Sequence, residues 1–295
     1  MCAATGVTYG DRWGIIAATG CNTVYTSTYP YNPYLVPWTN SLFENAPADA
    51  MGVRSRWDQI GWEDYPLWCI GGDGAMFDIG FQSLSRMLAS GMNINVFVLD
   101  TQVYSNTGGQ ASTSTYTGQN TKMSLHGKEI GGKQELRKEI AQIAMMHPRT
   151  FVAQTTCAHG NHFYKSVLRA MEFDGPSLIN CFTTCQPEHG VADNMAMDQA
   201  RMAVDTRAFP LLIHDPDNGD TLRKRLSLQG NPAMKEDWWT NPKSGEVVDF
   251  IDFCRSEGRF AKHFDRDGNP SETLEMARRD RLGNWQLLQE LAGLR

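Results

Sequence analysis

Apolar residues in this chain fall in short runs separated by amphipathic stretches. Leu67-Trp68-Cys69-Ile70, Val96-Phe97-Val98-Leu99, Phe151-Val152-Ala153 and Leu178-Ile179 are each bounded by polar or turn residues. Runs of that length, apolar at consecutive positions, suit strands buried on both faces. An earlier run, Trp13 to Ala18, predicts one more strand. Phe77, Phe81, Leu84, Met87 and Leu88 recur instead at helical spacing, as do Phe163, Val167, Leu168 and Met171. The pattern predicts strands at 67–70, 95–99, 150–154 and 177–181, and helices after the 71–74 turn, over 134–146 and over 161–172. Gly91 and Asp174-Gly175-Pro176 supply stops. Strands and helices alternating at these lengths mean an α/β domain, a mostly parallel sheet flanked by helices, with right-handed crossovers.

The rhythm fails in three places. The first fifty-odd residues are rich in Tyr, Pro, Asn and Thr, and after their one strand they predict a long ordered loop through 29–34. Residues 107–133 are rich in Gly, Ser and Thr, and read as a ligand-covering loop. Lys122, Lys128 and Lys133 within it read as solvated loop charges, with a coenzyme A clamp as the alternative. Beyond about 215 the chain predicts an extended, proline-punctuated C-terminal tail and then a final amphipathic helix over 271–294. The division expected is an α/β domain of 1–214 and an extension of 215–295, packed on that domain or on a partner.

Composition narrows the class. Of 295 residues, 41% are hydrophobic and 20% charged, ordinary for a globular protein, and a net charge of −6 argues against nucleic acid or an anionic membrane as the main partner. No run of eighteen apolar residues predicts a membrane helix, and Met1 to Gly10 lack the regions of a signal peptide, which predicts a cytoplasmic chain. The seven cysteines, odd in number and scattered at 2, 21, 69, 157, 181, 185 and 254, form no disulfide framework.

The chemistry is carried by Gly71-Gly72-Asp73-Gly74 after one strand and Thr101 after the next, 28 residues beyond Asp73. Both polar ends fall at the carboxyl edge of neighbouring parallel strands, where open α/β sheets bind ligands. A carboxylate, a hydroxyl and nearby carbonyls are hard oxygen ligands suited to Mg²⁺, and the glycines admit a diphosphate close to the backbone. The rival nicotinamide fingerprint needs a third glycine where Phe77 stands, and Asp73 inside the turn would repel a pyrophosphate without a metal. A structural turn with no ligand is the bland alternative.

At this point a resemblance becomes specific. Gly72-Asp73-Gly74, Phe77-Asp78-Ile79-Gly80, Asn95 to Thr101 and Val103-Tyr104-Ser105-Asn106-Thr107-Gly108-Gly109-Gln110 closely resemble the thiamine diphosphate-binding, carboxyl-terminal region of pyruvate:ferredoxin (flavodoxin) oxidoreductase. Ala18-Thr19-Gly20-Cys21, Trp38 to Glu44 and Asn284 to Leu291 extend the likeness over nearly the whole chain. The run 101–110 resembles the pyruvate-type branch rather than the archaeal-type 2-oxoacid enzymes. The resemblance implies that Asp73 and Thr101 ligate Mg²⁺ by side chain and Val103 by its carbonyl. Gly72, Gly74 and Ala75 would cradle the diphosphate. Gln102, Tyr104 and Ser105 would belong to the cofactor site, and Asn106 would reach the reacting carbon and the pyruvate. Ala75 departs from the bulky aromatic common in the family.

The resemblance further implies that Cys21 borders thiamine diphosphate and ligates a [4Fe–4S] cluster. Cys185 would be a second ligand, although one extra residue separates it from His189. Four cysteines are needed, and the other two by family spacing fall before residue 1. A carboxylate activating the cofactor would come from a pyrimidine-binding domain, also absent, so the chain is expected to be half of an active site and inactive alone. Pyruvate, coenzyme A, ferredoxin or flavodoxin, and a homodimer of the complete enzyme complete the implied partners. A zinc reading of Cys157, His159, His162, Cys181, Cys185 and His189 lacks a common finger spacing, and Cys181 sits in an apolar strand. A non-oxidative thiamine diphosphate decarboxylase, a non-catalytic homologue and an NAD oxidoreductase remain the alternatives.

Overall fold

The computed structural model describes residues 1–26, 33–123 and 131–295. Six parallel strands form the body of one sheet: β1 (Gly14–Ala18), β2 (Trp38–Ser41), β3 (Leu67–Gly72), β4 (Asn95–Asp100), β5 (Phe151–Thr156) and β6 (Ser177–Phe182). Two short strands, β7 (Leu212–His214) and β8 (Leu226–Ser227), extend it antiparallel, and the order is β2-β1-β3-β4-β6-β5-β7-β8. The apolar runs that predict strands do so because both faces are covered. Cys69, Val96, Val98, Val152 and Leu178 belong to one core layer, and Trp68, Ile70, Phe97, Phe151 and Ile179 to the other. Successive side chains on a strand point to opposite faces, so a polar residue on these strands is buried too and must be paired: Asn180 donates to Gln154 at 3.1 Å and Ser177 to Asn95 at 2.7 Å.

Two predicted elements change. The helix expected over 134–146 is only Ile140–Met145, because Lys133 and Arg137 turn inward to buried partners instead of lining a solvent face. The first sixty residues hold four unpredicted elements among those described: the helices Cys2–Tyr9, Cys21–Thr26 and Ala46–Gln59, and β2. Helix Ala46–Gln59 buries Ala46, Ala50, Arg54 and Trp57, a stripe whose small and charged members hide its period. Edge strand β2 is Trp-Thr-Asn-Ser and has no apolar alternation to reveal it. Residues 29–32 of the predicted loop lie outside the described residues.

Beyond 215 the chain is more structured than an extended tail. Helix Phe250–Arg255 and the final helix Glu272–Ala292 both pack inward. Phe250, Phe253 and Phe260 join Tyr116, Phe182 and Phe209 in a third core cluster, while Trp285 and Leu288 enter the main one. Asp249 closes the first of these helices in a reciprocal capping box with Asp252, and the Ser271 side chain caps the second. Among the described residues no helix is long and apolar enough to cross a membrane.

Candidate functional site

The chain leaves β1 toward β2 on one side and β3 toward β4 on the other, so the carboxyl edge between β1 and β3 is a topological switch point. Gly72 pairs with Leu99, which places Asp73 beside the end of β4, and Ala17 pairs with Ile70, which brings Thr19 to Asn22 to the same edge. A cavity of about 150 Å³ opens there. Every site residue expected from sequence lines it except Gln102 and Cys185. Thr19, Gly20, Asn22, Phe43, Leu99, Thr107 and Thr183 complete the wall.

Three oxygens converge on its floor. Thr101 Oγ1 lies 3.0 Å from Asp73 Oδ1 and 2.9 Å from the Val103 carbonyl, and Ser105 Oγ donates to Thr101 Oγ1 at 3.0 Å. Thr101 has one hydroxyl proton for two acceptors. Cis ligands of an octahedral Mg²⁺ at 2.0–2.1 Å stand about 2.9 Å apart, so the distances from Thr101 Oγ1 to its two neighbours are compatible with such an ion. Asp73 is 2% exposed and is itself held by hydroxyls. Ser112 Oγ and Ser114 Oγ donate to its Oδ2 at 2.5 and 2.9 Å. Burial, with the Asp100 carboxylate nearby, pushes the Asp73 carboxyl up to about 7 against the pull of these three hydroxyl donors. Among the described residues no cation pairs with Asp73; a buried carboxylate so placed is a costly group, and a bound cation would relieve it.

The turn after Asp73 is wider than an α-helix: the Gly80 N–H donates to the Ala75 carbonyl, five residues back, at 2.8 Å. Such π-type turns recur at functional sites. The Tyr104 ring lies so close over Gly74 that an added Cβ there would stand 2.2 Å from it, which explains the glycine without invoking a diphosphate. Tyr104 is fixed by a hydroxyl bond of 3.0 Å to Asp78. Asn106 and Cys21 are exposed at the lip.

Gln102 corrects the sequence reading. It is fully buried at φ 55°, its side chain bonded to Asp100 and to Arg259. It braces the floor from beneath and faces no ligand space. Lys133 is also corrected: it is 4% exposed, and its ammonium donates to the carbonyls of Ser112, Thr113 and Thr115. Lys122 pairs with Glu188 at 2.6 Å, and Lys128 lies outside the described residues. Behind Thr101, His189 Nε2–H donates to the Thr101 carbonyl at 2.9 Å, and its Nδ1 faces Glu257 at 3.6 Å. Sequence reasoning missed Ser112, Ser114 and Asn22; nothing local in the polar run 107–123 marks the two serines whose hydroxyls reach Asp73.

Cys21 opens the helix Cys21–Thr26, and Cys185 stands outside the cavity wall. Burial raises the Cys21 thiol first, and the Cys185 and Asp73 charges raise it further, so the two cysteines are electrostatic neighbours. Among the described residues no three His, Cys, Asp or Glu side chains form a group that holds a metal, so the zinc set is not assembled.

Residues 18–181 match the family described as thiamine pyrophosphate enzyme, C-terminal TPP binding domain. The chain is 33% identical to pyruvate synthase subunit PorB of Pyrococcus horikoshii, over 95% of its own length and 83% of that subunit's. It is 36% identical to the PorB of Thermotoga maritima, over 84% and 73%. The chain belongs to this family. It is also 28% identical to the pyruvate-flavodoxin oxidoreductase of Rhodospirillum rubrum, where 97% of the chain spans only 28% of the relative's length. A solved 2-oxoglutarate:ferredoxin oxidoreductase from Magnetococcus marinus superposes with a TM-score of 0.52 at 21% identity, covering 63% of this chain and 62% of that one, and shows the fold. The segment matching this thiamine pyrophosphate-binding domain runs from the end of β1 to β6 and includes every cavity-lining residue except Thr183.

Proposed function

We propose that this chain is the thiamine diphosphate-binding component of a pyruvate:ferredoxin (flavodoxin) oxidoreductase, converting pyruvate and coenzyme A to acetyl-CoA and CO₂. The observation that carries the reading is that Thr101 Oγ1 lies 3.0 Å from Asp73 Oδ1 and 2.9 Å from the Val103 carbonyl at a switch-point cavity. These three would hold Mg²⁺, with the Gly72 to Ala75 turn against the diphosphate. Bound thiamine diphosphate supplies an electron sink for decarboxylation. Asn106, at the lip, donates a hydrogen bond to negative charge developing on the substrate oxygen, the kind of preorganised contact that favours the transition state. The names of the relatives support pyruvate as the 2-oxoacid.

The rest of the active site comes from partners. Val24, Leu42 and Ile79 are 66%, 61% and 52% exposed, and each is one to four residues in sequence from a cavity-lining residue. Exposed apolar side chains on the segments that line the cavity fit a surface that a pyrimidine-binding domain or subunit would cover, excluding water from the cavity. That partner supplies the activating carboxylate. Cys21 and Cys185 would contribute two of the four thiolates of a [4Fe–4S] cluster, the others coming from elsewhere in a dimeric, cytoplasmic enzyme that passes electrons to ferredoxin or flavodoxin. The test is reconstitution. The purified chain should bind thiamine diphosphate only with Mg²⁺ in calorimetry, and should reduce a viologen dye with pyruvate and coenzyme A only after a pyrimidine-binding partner is added. Pyruvate decarboxylation by the chain alone, or without coenzyme A and an electron acceptor, would overturn the reading in favour of a non-oxidative lyase.

A further inference from the structure

The two oxygens of Asp73 face different elements. Oδ1 faces Thr101 and, past it, Val103, whereas Oδ2 accepts from Ser112 and Ser114 at 2.5 and 2.9 Å. Both serines are buried, at 4% and 0% exposure. Their segment is locked from behind. Lys133 Nζ donates to the carbonyls of Ser112, Thr113 and Thr115 at 3.0, 3.3 and 2.9 Å, and Arg137 donates to the Ser114 carbonyl and to Asp100. Thr115 Oγ1 accepts from the Ser112 N–H at 2.9 Å and donates to the Gln102 carbonyl at 2.7 Å, which ties the segment to the loop after β4. Ser112, Ser114 and Lys133 do not line the cavity.

The geometry points to Ser112, Ser114 and Lys133 as positioning residues that hold Asp73 by one oxygen and so make it a monodentate ligand that discriminates Mg²⁺ from Ca²⁺. This rests on the functional reading above. Mg²⁺ demands a near-ideal octahedron at 2.0–2.1 Å, whereas Ca²⁺ accepts longer bonds, more ligands and bidentate carboxylates. A carboxylate whose Oδ2 is anchored by two hydroxyls can offer only Oδ1 to a cation. Freed of that anchor it can rotate to present both oxygens, which favours the larger ion. Lys133 acts one step further out, by fixing the main chain that carries both serines.

The experiment is calorimetric titration of thiamine diphosphate into the full chain over a series of Mg²⁺ and, separately, Ca²⁺ concentrations. It compares the wild type with S112A/S114A, Ser112→Thr and Lys133→Met, and the thermal midpoint of each cofactor-free variant monitors folding. Removing groups that orient a metal ligand lowers metal affinity by about 10–100-fold. We expect S112A/S114A to raise the Mg²⁺ concentration for half-saturation by about 10-fold or more, to change the Ca²⁺ value much less, and so to narrow the preference for Mg²⁺. Ser112→Thr keeps the hydroxyl and should retain the wild-type preference. Lys133→Met should shift the preference in the same direction as the double variant, and if it does not fold, the double variant carries the test alone. Equal weakening toward both cations, or an unchanged Mg²⁺ half-saturation in a folded double variant, overturns the positioning role while leaving the functional reading intact. A wild-type chain with no Mg²⁺-dependent binding overturns the reading and the positioning role together.

Discussion

Asp73→Asn should make the cofactor-free chain more stable while destroying its capacity to bind. Asp73 is fully enclosed, and burial plus the Asp100 charge raises its carboxyl from 3.8 to about 7. In the unfolded chain the carboxyl ionises near its ordinary value, so between those two pH values the folded state holds the extra proton. Stability contributed by that proton is therefore present at low pH and lost as pH rises toward 7. A shift of about three pH units at about 1.4 kcal/mol each corresponds to roughly 4 kcal/mol, carried as a cost above pH 7. An asparagine cannot ionise, and its carbonyl can still accept from Ser112 and Ser114 while its amide faces Thr101. Urea unfolding in the presence of a chelator should show the variant and wild type equal near pH 4, and the variant more stable at pH 8 by an amount on the order of 4 kcal/mol. Mg²⁺ and thiamine diphosphate should narrow the gap, since a ligand at 100 times its dissociation constant adds about 2.7 kcal/mol to the wild type and nothing to a variant that cannot bind it. A variant less stable than wild type at pH 8, or a difference that does not change with pH, would refute this account of the buried carboxylate.

Three further outcomes follow from the geometry. Arg137→Met should cost about 3–5 kcal/mol in denaturant unfolding, because it leaves the fully buried Asp100 without its ion-pair partner; a loss under 1 kcal/mol would mean the pair is not formed. Gly74→Ala forces a Cβ into the Tyr104 ring, so a stability loss of about 1–3 kcal/mol should accompany weaker thiamine diphosphate binding, and unaltered affinity in calorimetry would show that Tyr104 does not shape the cavity. Burial lowers the pKa of His159, His162, His189, His214 and His263, with His162 down to about 4. Their unfolded forms take up protons first as pH falls below about 6.5, so stability should drop between pH 6.5 and 4. The drop is cleanest in the Asp73→Asn background, where the carboxyl proton does not offset it, and a flat profile there would contradict the burial of these rings.

Much of this molecule was legible because its information is local. Strands buried on both faces are apolar at most consecutive positions, so β3, β4, β5 and β6 announce themselves as runs. The pairing of Asp73 with Thr101 could be read from spacing alone, because each residue directly follows a strand and neighbouring parallel strands end at one edge. Helix Ala46–Gln59 hid because its buried stripe includes alanines and an arginine, and β2 because an edge strand needs no apolar face.

What lay beyond reading was the identity of partners far apart in the chain. The polar run 107–133 and its lysines look the same in sequence whether they cover a ligand, face water or turn inward. Lys133 is buried because three carbonyls 18–21 residues earlier converge on it, and Ser112 and Ser114 matter because the fold brings them to an aspartate some 40 residues away. Gln102 sits among predicted ligands, yet its positive φ and its bonds to Asp100 and Arg259 turn it away from the cavity. The residue pattern settled the parallel sheet, the glycine turn and the residues at the two strand ends, since periodicity and turn chemistry are properties of neighbouring residues. Tertiary structure alone settled which polar groups are buried together around Asp73, because desolvated groups must find hydrogen-bond partners wherever the fold supplies them.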